Sequence, residues 1–113
     1  MLTIYHNNRC SKSREGVCFL ENLKQPFEII PYLEKEFTQE TLTELLAKLN
    51  LKPIELVRTK EKEWIQNFKG KSLTDVEIIN AMVAFPKLIE RPIVVKNNKA
   101  VIARPAEKIN TLL

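Results

Sequence analysis

Cys10 is the side chain in this sequence best placed for chemistry. Leu2-Thr3-Ile4-Tyr5 reads as a short strand and residues 11–24 as a helix, so the thiol falls at the helix N-terminus. The unpaired first-turn N–H groups and the positive end of the helix dipole both favour thiolate there. Such positions hold a cysteine pKa below its free value of about 8.5. Arg9, Lys12 and Arg14 add positive charge. The same helix end is also an anion site. One location thus supplies a nucleophile and a cradle for an oxyanion.

The neighbours define what this thiol can do. The loop reads Cys10-Ser11-Lys12-Ser13, with serine where a C-x-x-C motif has its second cysteine, so electrons must come from an outside thiol. Ser11 or Ser13 would cap the helix or offer a hydroxyl to an anion, with capping the leading expectation. His6 is the only histidine; it would either stabilise the thiolate as a cation or orient the loop by a hydrogen bond. One His and one Cys do not make a metal site. Cys18, between Val17 and Phe19, reads as a core contact. A C-x5-R phosphatase loop would need arginine at position 16, where Gly16 stands, and no G-x-x-x-x-G-K-[ST] occurs. Arg58, Arg91 and Arg104 stand out further along. Arginine forks suit tetrahedral oxyanions, although spacing alone does not bring these three together.

The elements that must position these residues follow from periodicity and punctuation. Gln25-Pro26 ends the first helix, and Phe27-Glu28-Ile29-Ile30 forms a second strand closed by Pro31. Leu42, Leu45, Leu46 and Leu49 mark an amphipathic helix, capped by Thr38 or by Thr41 with Glu44. A turn over Pro53 to Arg58 and a helical piece near Trp64 come next. Thr74-Asp75-Val76-Glu77 is a capping box opening a helix that carries Val76, Ile79, Met82 and Val83, and Pro86 terminates it. Pro92-Ile93-Val94-Val95 and Ala100-Val101-Ile102-Ala103 are strands joined at Asn97-Asn98. Pro105 is expected at the first position of a terminal helix reaching residue 112.

The sum is β-α-β, a helical insertion, then β-β-α. That is the thioredoxin or glutaredoxin order: an α/β fold with a four-stranded mixed sheet. The expectation is a single domain over residues 1–113 with the insertion at about 34–89. In such a fold the loop before the third strand packs beside the cysteine loop through a cis-proline, which would be Pro92.

With 113 residues, 44% of them hydrophobic, the chain suits one core without disulfide staples. Its net charge of +4, from 18 basic and 14 acidic residues, is mild and interspersed; this fits an anionic small substrate and gives no nucleic-acid stripe. No apolar run approaches a membrane span and no signal peptide is evident, so a cytoplasmic, monomeric protein is expected.

Ile4-Tyr5-His6-Asn7-Asn8-Arg9-Cys10-Ser11-Lys12-Ser13-Arg14 resembles the active-site loop of the glutathione- and glutaredoxin-dependent arsenate reductases. Glu90-Arg91-Pro92-Ile93-Val94-Val95 resembles that family's cis-proline strand, and Ala103-Arg104-Pro105-Ala106-Glu107 its third marker. Leu56-Val57-Arg58 and Tyr32-Leu33-Glu34 also match, and Asn8 stands where the family usually has proline. The resemblance implies that the Cys10 thiolate attacks arsenate held by Arg58, Arg91 and Arg104, with Ser13 and Arg14 beside them. It implies that His6 helps keep the thiol ionised, and that glutathione and glutaredoxin return the enzyme to its thiol form with no bound metal or organic cofactor. Two other readings share the fold. One is a monothiol glutaredoxin-like protein; the other is a regulatory, Spx-like relative that binds RNA polymerase, which typically carries the C-x-x-C that Ser13 interrupts.

Overall fold

The structure, a computed structural model, describes residues 2–7, 10–31 and 37–113. Asn8, Arg9 and Tyr32-Leu33-Glu34, all singled out above, lie outside the described residues. The chain forms two compact units: Met1–Lys35 with Arg91–Leu113, and Glu36–Glu90.

The first unit contains β1 (Leu2–His6), α1 (Ser11–Leu23), β2 (Phe27–Pro31), β3 (Ile93–Lys96) and β4 (Lys99–Ile102), and it ends in a 3₁₀ helix, Ala106–Leu112. The sheet order is β2-β1-β3-β4. β1 pairs parallel to β2, which requires a crossover that α1 supplies. β1–β3 and β3–β4 are antiparallel. This is the mixed four-stranded sheet expected from the sequence. Asn97, at φ 56°, makes the tight β3–β4 turn that asparagine tolerates. Ile4, Leu20, Val94 and Ile109 are fully buried, with Leu2, Ala103 and Leu112 beside them. Each such aliphatic side chain contributes about 1.5–3 kcal/mol on burial.

Two expectations are corrected here. Cys18 is exposed rather than part of the core. The buried residues of α1 are Ser13, Gly16 and Leu20, and a residue two places after Gly16 points to the far side of a 3.6-residue helix. Cys18→Ser should therefore leave stability within about 0.5 kcal/mol, as for an ordinary surface substitution, which a thermal melt checks. The terminal helix is 3₁₀ rather than α, and Pro105 precedes it as the N-cap instead of opening its first turn. The peptide bonds before Pro92 and Pro105 are both cis.

Gly16 is where α1 meets the segment that carries Arg91. A Cβ there would come within 2.9 Å of Pro92 Cγ and 3.1 Å of Ile4 Cδ1. The proline ring cannot swing aside. Gly16→Ala would gain about 1 kcal/mol of helix propensity. Overpacking of this kind costs about 1–3 kcal/mol. The expected result is a lower Tm, whereas a rise would show that the helix shifts freely off Pro92.

The second unit contains α2 (Gln39–Leu49), α3 (Pro53–Leu56), α4 (Lys62–Asn67) and α5 (Asp75–Ala84), followed by a 3₁₀ turn, Pro86–Leu88. Thr38, not Thr41, is the N-cap of α2, and it shares a reciprocal capping box with Thr41. Thr74 and Glu77 cap α5 as their spacing predicts. Leu42, Leu45, Leu46, Leu56, Ile79 and Met82 are buried, Trp64 and Phe68 pack as a tilted pair, and Phe68 meets Phe85 edge to face. Val76 is exposed rather than inward, because α5 buries Ile78, Ile79, Ala81 and Met82. An isolated antiparallel bridge pairs Val57 with Ile89. Among the described residues, no helix is long and apolar enough to cross a membrane.

Candidate active site

The sheet determines which residues of the first unit meet. β1 ends at His6, paired with β3 so that Tyr5 lies opposite Ile93. The loop leaving β1 therefore emerges at the end of the sheet where Arg91-Pro92 enters β3. The β3–β4 ladder pairs Ile93 with Ile102, and beyond it the Ala103 N–H donates to the Pro92 carbonyl at 2.8 Å. Arg104 thus comes to the same end of the sheet. Cys10, Arg91 and Arg104, separated by more than 80 residues of sequence in the first case, are gathered by strand pairing.

Cys10 is itself the N-cap of α1, with extended backbone at φ −104° and ψ 123°. Its N–H donates to Asn7 O at 3.0 Å, and its carbonyl accepts from Arg14 N at 3.1 Å. An N-cap side chain normally accepts from the second or third helical N–H. The Cys10 thiol makes no such formed bond. The amides of Ser13 and Lys12 nevertheless face Sγ closely enough to favour its anion. Partial burial pushes the thiol pKa up, but the Arg91 guanidinium at the sulfur and those two amides outweigh it, so the net displacement is downward. The structure thus favours thiolate at Cys10, with Arg91 as the principal side-chain cause.

Ser13 is not a cap. It lies in the first turn of α1, is fully buried, and accepts from the Asn7 N–H at 2.9 Å. Its hydroxyl lies 2.7 Å from His6 Nδ1. His6 is held below the usual imidazole pKa chiefly by burial; the hydrogen bond with Ser13 acts upward, and the charge of Arg14 adds a lesser downward effect. Neutral imidazole is thus favoured near pH 7. Of the two roles weighed for His6, the geometry supports the orienting one: strand end, Ser13 and helix start are tied together beneath Cys10. Buried Asn7 belongs to this knot, and nothing but its place in the loop marks it in the sequence.

Arg14 is exposed on α1, and Arg104 is half-buried after β4. Arg58 belongs to the second unit, where its Nη1 lies 3.2 Å from Glu61 Oε1 and its Nε 3.4 Å from Glu90 Oε1. The Glu61 contact has a sequence signal, the i, i+3 spacing. The Glu90 contact has none, because it depends on the Val57–Ile89 bridge.

A partly buried, anion-favoured thiol at a helix start, with arginines gathered by the sheet, is a site for nucleophilic attack on an anion. The family model for ArsC matches residues 5–112, which covers every candidate residue named above. The chain belongs to the ArsC family. An arsenate reductase of Haemophilus influenzae is 37% identical over 112 residues, 97% of each chain. Escherichia coli K12 has a relative, named uncharacterized protein YfgD, that is 48% identical over 94% of this chain and 91% of its own. Among solved structures, an arsenate reductase from Vibrio cholerae superposes with a TM-score of 0.94 at 41% identity, covering 99% of this chain and 97% of its own. The thioredoxin-like α/β fold of this ArsC chain is therefore shared with solved arsenate reductases.

Proposed function

We propose that this protein reduces arsenate to arsenite through the Cys10 thiolate, with glutathione and glutaredoxin as reductants. The observation that carries this reading is the placement of Arg91 and the Ser13 and Lys12 amides around Sγ. One arrangement stabilises the nucleophile and offers donors to the oxygens of a bound tetrahedral anion.

In the first step the thiolate sulfur bonds to arsenic, and one arsenate oxygen leaves as water after proton transfer. Arg58, Arg91 and Arg104 hold the remaining oxygens, with Ser13 and Arg14 close to the reacting loop. Arginine forks match this geometry by bidentate hydrogen bonds. Glutathione thiolate then attacks the Cys10 sulfur. A sulfur–sulfur bond forms, the sulfur–arsenic bond breaks, and its electron pair stays on arsenic, taking As(V) to As(III). Arsenite departs. Glutaredoxin removes the glutathione from Cys10 by thiol–disulfide exchange and restores the thiol. The two electrons come from Cys10 and glutathione, and no bound metal or organic cofactor is required.

Ser13 supports the outside reductant. Where a dithiol enzyme would carry its resolving cysteine, this chain has a buried hydroxyl engaged by His6 and Asn7. His6 orients the loop, and Pro92, packed against Gly16 of α1, anchors the segment that carries Arg91. We place the protein in the cytoplasm as a monomeric single domain with a helical insertion, where glutathione is available.

The reductant is tested by NADPH oxidation with arsenate, comparing glutathione, glutathione reductase and glutaredoxin against thioredoxin with its reductase. Turnover with the glutathione system is expected. Turnover with thioredoxin alone would replace the proposed reductant.

A further inference from the structure

Arg58, a proposed oxyanion ligand, already faces two carboxylates in the structure. The bridge between Val57 and Ile89 is flanked by two hydrogen bonds, Arg58 N to Leu88 O at 2.6 Å and Glu90 N to Leu56 O at 2.9 Å. These set Arg58 opposite Leu88 and Glu90 opposite Leu56, so Arg58 and Glu90 are diagonal neighbours on one face of the bridge, within reach of long side chains. Glu61, three residues on, donates its N–H to Arg58 O at 3.0 Å, which closes a turn and brings its own carboxylate back to the guanidinium.

The atoms engaged are informative. A guanidinium presents two edges to a bidentate anion, Nε with Nη2 and Nη1 with Nη2. Glu90 faces Nε and Glu61 faces Nη1, so each edge has one of its two donors covered by a carboxylate. A tetrahedral anion docking in bidentate fashion on either edge must compete with one of these carboxylates for a shared nitrogen. Nη1 is buried yet makes no hydrogen bond despite the 3.2 Å approach of Glu61, so this contact is an ion pair without the alignment that would make it hard to break. Two carboxylates on one guanidinium also leave a net negative charge where an oxyanion would arrive.

We propose that Glu61 and Glu90 form a displaceable carboxylate clamp on Arg58, and that they weaken and tune oxyanion binding at this arginine. The proposal rests on the reading of Arg58 as an oxyanion ligand. Glu61 and Glu90 act through Arg58 and are positioning residues, not catalytic ones. The clamp holds the fork extended and counter-charged until a more highly charged anion exchanges for a carboxylate. It thereby disfavours weakly charged anions, which compete less well with a carboxylate.

The test is calorimetric binding of inorganic arsenate to the full chain carrying Cys10→Ser, so that no chemistry follows binding. Glu61→Gln and Glu90→Gln keep the shape of each side chain and remove its charge. Each is expected to tighten binding about two- to fivefold, the range for ion pairs whose side chains are about a quarter exposed. Arg58→Ala is expected to weaken binding, and Glu61→Gln added to Arg58→Ala to change nothing further. Weakened binding in Arg58→Ala, with unchanged or weaker binding in both glutamine variants, would overturn the clamp and leave the oxyanion reading of Arg58 standing. Unchanged binding in Arg58→Ala would overturn that reading and the clamp together, as would arsenate binding to none of the proteins.

Discussion

Cys10→Ser is expected to reduce arsenate-dependent turnover by about a thousandfold or more, the scale on which loss of an essential nucleophile is felt. The reason is both kinetic and stoichiometric. A serine hydroxyl at the same N-cap would remain protonated, because neither Arg91 nor the Lys12 and Ser13 amides can lower an alcohol pKa into the physiological range. It also cannot form the bond to glutathione sulfur through which the electron pair reaches arsenic. The fold should be untouched. Cys10 is only partly buried, and serine is among the best N-caps. The Tm of Cys10→Ser should match or slightly exceed that of the wild type. A variant that melts early would make its inactivity uninformative; one that melts normally and retains turnover would remove Cys10 from the mechanism.

Arg91→Leu carries the second large effect, and it has two separable parts. Arg91 is the main side-chain cause of the lowered Cys10 pKa, so its loss must move the thiol back up. The rate of Cys10 alkylation follows the thiolate fraction, so it rises with pH through the thiol pKa. The wild-type curve should therefore rise below the range of an ordinary cysteine, and the Arg91→Leu curve at higher pH. Arg91→Lys should fall between them, since it keeps the charge without the planar fork. The second part is transition-state charge: loss of one donor to a developing oxyanion costs about 10²–10³ in rate. Arsenate turnover should fall by at least that factor, and raising the pH should recover only the thiolate share. Recovery of the whole rate at high pH would confine Arg91 to ionising Cys10. An unshifted alkylation profile would remove it from the sulfur's surroundings.

The fold was legible where local chemistry decides it. The Thr74–Glu77 capping box, the Leu42, Leu45, Leu46 stripe and the four strands need only near neighbours to declare themselves. Cys10 was legible for the same reason, since a strand signal ending just before it and a helix signal just after it leave the N-cap in between. What failed depended on distant partners. The burial of α1 is set by what it packs on, namely Pro92 and Ile4 at Gly16. The apolar neighbours Val17 and Phe19 therefore misplaced Cys18. Val76 went astray in the same way, as an apolar residue on the outer face of α5. Ser13 is recognisable as a first-turn hydroxyl, but its capture by His6 and Asn7 follows only once β1 and α1 are docked. The carboxylates on Arg58 divide along the same line: Glu61 is within reach by spacing, whereas Glu90 arrives through an isolated bridge that no periodicity announces. The placement of Arg91 at Cys10, and of Arg104 at the same end of the sheet, follows from strand pairing rather than from spacing.

The most direct test of the central claim is to quantify arsenite itself, in a reaction of the wild-type protein with arsenate, glutathione, glutaredoxin, glutathione reductase and NADPH. The account predicts one arsenite released for each NADPH oxidised, and none above background when Cys10→Ser replaces the wild type. NADPH oxidation without arsenite, or arsenite formation that survives Cys10→Ser, would contradict it.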